Sequence, residues 1–127
     1  MMNVPLYKNG NETGVLVSHG FGAGWSTWNC YPELAYDKRV IEFWLSHKDD
    51  KKFNHDVTSY EHNDANSKVL NFLRSLEYVD DDAHICLYGW DDIDLEFVPN
   101  GQLFRIDEYD GAESIELFDD SDGWMKF

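Results

Sequence analysis

Cations are scarce in this chain. Ten lysines and arginines stand against 25 aspartates and glutamates in 127 residues, giving a formal net charge of -15. The shortage is local: residues 1–53 carry six acids and six bases, whereas residues 54–127 carry 19 acids against Lys68, Arg74, Arg105 and Lys126. Such a surface repels a nucleic-acid backbone, which bears one negative charge about every 1.7 Å of duplex axis. Direct binding of DNA or RNA is therefore disfavoured. Cysteine is scarce too. Cys30 and Cys86 lack the spacing of a disulfide framework or a zinc site and are expected to be reduced, buried thiols. The five histidines show no paired metal-ligand spacing, so no metal ion and no cofactor are expected. No window approaches eighteen apolar residues and MMNVPLYKNG does not read as a leader, which makes a cytoplasmic protein without a membrane span the expectation.

What remains is enough to fold. Hydrophobic residues make up 43% and aromatics 16% of the chain, too much for a disordered acidic tail, and the length suits one domain. GVLVSH at residues 14–19 reads as a short strand leading into GFGAGWSTWN at residues 20–29, a stretch with three glycines, two tryptophans and no charge. Over residues 37–47, Val40, Ile41, Trp44 and Leu45 recur at helical spacing behind the capping residue Asp37. HKDDKKFNHDVTSYEHND then reads as a polar loop of about eighteen residues. A second helix is expected over 65–78, with Asn63, Asp64 or Asn66 as its cap and Ala65, Val69, Phe72, Leu73 and Leu76 on one face.

After Asp80-Asp81-Asp82 the period becomes two. Strands are expected over 83–88, 92–98, 102–109 and 112–118, with turns at Val98-Pro99-Asn100-Gly101 and Asp110-Gly111. The order predicts a single α+β domain: an antiparallel meander of about four to five strands with two helices packed on one face.

The glycine loop follows a strand, as phosphate cradles do, but its spacing is G-x-G-x-G, no lysine follows, and no helix starts where it ends. Its glycines are expected to let the backbone pass close beneath Trp25 and Trp28, whose rings would fill the end of the core. The alternative is a small-ligand or nucleotide site built from His19, Gly20, Gly22, Gly24, Trp25 and Trp28.

The blocks GAGWSTWN and FRIDEYDG (residues 104–111) resemble a family of small acidic proteins of tailed bacteriophages. The two blocks cover under a fifth of the chain, and the family supplies no catalytic residues to carry over. What the resemblance implies is context: an accessory protein acting on host machinery, including restriction and CRISPR defence.

In that context the acidic strands gain meaning. Asp92, Asp94 and Glu96 recur at every second residue and would project from one face of a strand. Their axial spacing of about 6.7 Å is close to the advance of two phosphates along one DNA strand, about 6.8 Å. Asp107, Glu108, Asp110, Glu113 and Glu116, with Asp119, Asp120 and Asp122, would enlarge the patch. The expected function is thus a non-enzymatic phage accessory protein, an acidic mimic of nucleic acid that occupies a basic groove on a host defence protein. A third reading is a structural or assembly protein whose charge only keeps it soluble. Asp119-Asp120-Ser121-Asp122 also admits a weak calcium site, although Phe118 stands where an EF-hand needs an oxygen ligand.

Overall fold

A computed structural model describes residues 3–118 and 125–127. The calcium-site candidate and Asp119, Asp120 and Asp122 of the acidic patch lie outside the described residues. Strand β2 (Glu12–Ser18) occupies the middle of the fold, between β1 (Lys8–Asn9) and β3 (Ile93–Pro99), all antiparallel. Val15, Leu16 and Val17 are fully buried because both faces of β2 are covered. On one side Leu16 and Ile93 pack with Trp25, Val40, Ile41, Trp44, Val57, Val69, Leu73 and Trp90. On the other Val15, Val17 and Val98 pack with Ala35, Tyr36 and Phe104, and Ile106 and Ile115 join them. A strand buried on both faces needs a continuous apolar run, and GVLV supplies one.

The second cluster belongs to another sheet, in which β4 (Leu103–Tyr109) lies between β5 (Ala112–Phe118) and β6 (Met125–Lys126). Helices α1 (Glu33–Tyr36), α2 (Lys38–His47), α3 (Lys51–Val57) and α4 (Asp64–Arg74) complete the domain. The expected α+β class is correct, with α2, α3 and α4 packed on one side of the β2-centred sheet and the second sheet, with part of α1, on the other. Among the described residues no helix is long and apolar enough to cross a membrane.

The expected meander divides at Pro99–Gln102. There Gln102 N–H donates to the Pro99 carbonyl at 3.1 Å and Gly101 takes a φ of 82°. This turn carries the chain out of the first sheet and into the second, so that Val98 and Phe104 share one cluster. Residues 83–88 pair with no strand either. Their alternation does govern burial, with Ala83, Ile85 and Leu87 inward and His84 and Tyr88 outward. Side chains satisfy this backbone instead: Arg74 donates to the Ala83 carbonyl, and the Asn29 amide bonds both N–H and C=O of Cys86.

Within the expected polar loop lies α3, capped by Asp50, which accepts from Phe53 N–H, and braced by a Lys52–Asp56 pair one turn apart. It buries Val57, and also Asn54, whose amide joins the His47 carbonyl to the Trp90 indole. Of the three candidate caps of α4, Asn63 fills the role, in a reciprocal capping box with Asn66. The helix ends at Arg74, short of the expected 78. Cys86 is half-buried, but Cys30 is exposed, contrary to the expectation of two buried thiols.

The expected cap Asp37 does more than start α2. Fully buried, it accepts from Arg39 N–H at 2.9 Å, from the Arg39 guanidinium at 3.0 and 2.7 Å, and from Tyr78 OH at 3.0 Å. Arg39 reaches on to Glu77, and the backbone of residues 5–6 is pinned beside it. Burial first, and then the Asp37 charge, holds the Tyr78 phenol well above its usual value, so it remains a donor. Removing the carboxylate uncaps α2 and leaves the Tyr78 hydroxyl without its acceptor, while Arg39 keeps Glu77. Asp37→Ala is expected to cost about 2–3 kcal/mol in urea unfolding, from the lost cap and the phenol left without its acceptor, against about 1 kcal/mol for Tyr78→Phe.

Candidate functional site

Residues 19–28 leave β2 and wrap around a single side chain. His19 N–H donates to the Asp92 carbonyl as the last rung of the β2–β3 ladder, and Gly20 lies so close to the Asp92 carboxylate that any side chain would overlap it. Gly22 takes a φ of 100° and donates its N–H to the Asp110 carbonyl at 2.6 Å. A Cβ on Gly24 would stand 2.9 Å from Glu113 Oε2. The loop thus closes onto the β4–β5 hairpin.

Glu113 is the centre of this closure. It is 2% exposed, and its carboxylate accepts from Ser18 N–H and Trp25 N–H at 2.8 Å each, from Thr27 N–H at 3.1 Å and from the Thr27 hydroxyl. Three converging backbone amides are the donor set that elsewhere cradles a phosphate. Here the anion is the chain's own, which leaves the nest no room for a nucleotide phosphate. Glu113 was expected in the exposed acidic patch. Its parity along β5 puts it instead with Ile115, on the side facing the core.

The two tryptophans part company. Trp25 is fully buried, donates its indole N–H to the Leu34 carbonyl at 2.8 Å and meets Trp90 edge-on at 5.6 Å. Trp28, expected in the core, is 43% exposed, and its indole donates to Glu108 Oε2 at 3.0 Å. That bond, with a second from Gly111 N–H, holds the Glu108 carboxyl below its usual range. Asp110 and Gly111 take φ values of 51° and 90°, the pair of left-handed residues that a tight hairpin turn demands. Gly111 also sits against the Ala23 backbone, where no Cβ fits.

The expected acidic patch is redistributed by these contacts. Asp94 and Glu96 share one face of β3, whereas Asp92 lies in the turn Trp90–Asp92 just before the strand, and Glu96 reaches His19 Nε2 at 2.6 Å. Asp94 is exposed on β3. Asp107, opposite Ser114, and Glu116, paired with Arg105 at 3.2 Å, lie on the opposite face of the second sheet from Glu108 and Glu113. Asp92, Glu96, Glu108 and Asp110 each touch the loop, through Gly20, His19, Trp28 and Gly22 respectively.

Beside them stand two side chains that sequence reasoning passed over. Phe21 is 72% exposed and Tyr109 77% exposed, in edge-to-face contact at 6.5 Å. Both sit in blocks already conspicuous for their aromatics, but only the folded loop brings them together. Among the described residues no group of three or more His, Cys, Asp or Glu side chains could hold a metal ion.

Glu113→Gln keeps the shape of the side chain but turns an amide N–H₂ toward the donors of the nest. It is expected to destabilise the fold by about 3 kcal/mol in denaturant and to speed hydrogen exchange at Trp25 and Thr27, with an unchanged far-ultraviolet spectrum. The chain matches no protein-family model, no curated protein and no solved structure.

Proposed function

We propose that the protein is a non-enzymatic binder of a positively charged protein surface, docking through the loop 19–28, the turn at Asp110-Gly111 and the carboxylates that touch them. The observation that carries this reading is the Phe21–Tyr109 pair, two large rings left in solvent with acids around them. Exposed aromatics on a fixed backbone are the usual anchors of an interface, and a charged rim sets partner choice and encounter rate. The Glu113 nest and the hairpin supply the fixed backbone. Among the described residues no cation pairs with Asp92 or Asp94, so their field is free to act on a partner.

A basic groove that otherwise holds nucleic acid is the partner surface of matching sign. The resemblance to small phage proteins supports a host defence protein of the restriction or CRISPR type as the partner to test. With Asp92 outside β3 and Glu96 on His19, mimicry rests on the summed negative field and not on a phosphate-spaced row of carboxylates.

Binding to partners recovered from a bacterial lysate is expected to fall steeply with added salt and to be lost in the triple variant Asp92→Lys, Asp94→Lys, Glu96→Lys. Tyr109→Ala is expected to weaken it about tenfold or more without lowering the melting temperature, since the ring is exposed. Binding that survives the triple reversal would overturn the proposal.

A further inference from the structure

The β2–β3 ladder fixes which way each backbone group of β3 points. His19 N–H donates to the Asp92 carbonyl at one end and Asn100 N–H donates to the Asn11 carbonyl at the other. Antiparallel pairs alternate between bonded and non-bonded, so Val17–Asp94 and Val15–Glu96, of the same parity, are bonded. Leu95 and Phe97 therefore turn their N–H and C=O groups away from β2, toward an edge that no strand covers among the described residues, while the N–H of Ile93 is held by the Trp90 carbonyl. Two side-chain contacts agree with this parity. Leu95 N–H is taken by the Asp94 carboxylate at 3.0 Å, and Ser18 N–H, opposite Ile93, goes to Glu113 and not to β3.

We infer that this edge receives an extended segment of a basic partner as an added strand, with lysines or arginines alternating with apolar residues. The inference rests on the reading of the protein as a binder of basic surfaces and names how the partner docks. An added strand would meet Asp94 and Glu96 on one face and the half-exposed Leu95 and Phe97 on the other, which is the complement of such an alternation. The Asp94–Leu95 bond joins neighbours in the chain and buries nothing. A partner carbonyl can take over Leu95 N–H while the carboxylate turns to a lysine. Pro99 offers no N–H and that of Ile93 is taken, which limits the outward donors of the docking stretch to Leu95 and Phe97.

The test uses two labelled peptides of equal charge, acetyl-Lys-Val-Lys-Val-Lys-Val-Lys-amide and the same sequence with its central valine replaced by proline. At low salt the first is expected to bind about tenfold tighter, and to slow hydrogen exchange at the Phe97 amide while leaving the ladder amides of Asp94 and Glu96 unchanged. Asp94→Asn combined with Glu96→Gln is expected to remove the preference. If both peptides bind alike and the Phe97 amide stays fast, docking at the edge is wrong and the acidic-surface reading stands. If neither peptide binds at low salt, both fail.

Discussion

The Glu113 carboxylate joins three separate parts of the chain at one point. It reaches from β5 to Ser18 at the end of β2 and to Trp25 and Thr27 in the loop, so one buried charge fixes the first sheet, the second sheet and the glycine-tryptophan loop relative to one another. A polar group out of water is tolerable only when it is hydrogen-bonded, and four donors meet that condition here. The close approaches at Gly24 and Gly111 follow from the same closure, because a backbone wrapped this tightly has no space for a Cβ. Trp25 is held with its ring in the core by the same amide that donates to Glu113, while Phe21 and Trp28, on either side of it, are left facing outward.

A shortage of cations shapes the rest of the fold. With few lysines and arginines to pair with, several carboxylates are satisfied by N–H groups: Glu113 in its nest, Asp37 and Asp50 at helix starts, and Glu108 on an indole and a hairpin amide. Ion pairs take a smaller part. Arg39 serves both Asp37 and Glu77, and Glu96 relies on His19. Glu108 is held below its usual range by uncharged donors and not by a cation, so its charge adds to the negative field of the surface.

What was legible in the sequence was local. The Asp37 cap, the α4 stripe, the positive-φ turn at Asp110-Gly111 and the glycine turn after Pro99 are settled by residues close in the chain, and the fold has them. The assignment of strands to two sheets was not legible, because alternation fixes which face of a strand is apolar but not which strand lies beside it. The same gap turned residues 83–88 into an expected strand although side chains hold that backbone. Helix α3 was masked by its charges, although Asp50, Phe53 and Val57 already had the spacing of a capped turn. For the site, the stretches were found but their relation was not. The parity of Glu113 with Ile115 was visible in the string, yet only the fold shows that the loop closes over that carboxylate.

The hydrogen bonds of the nest span 95, 88 and 86 residues of chain. During synthesis the loop therefore emerges long before the residue that shapes it, and it stays unformed until the β4–β5 hairpin has been made. Contacts of such separation are slow to form and come late. The outward set of Phe21 and Trp28 is thus an end product of folding: a chain that has built its helices but not yet docked its last hairpin carries these rings without the surface they form.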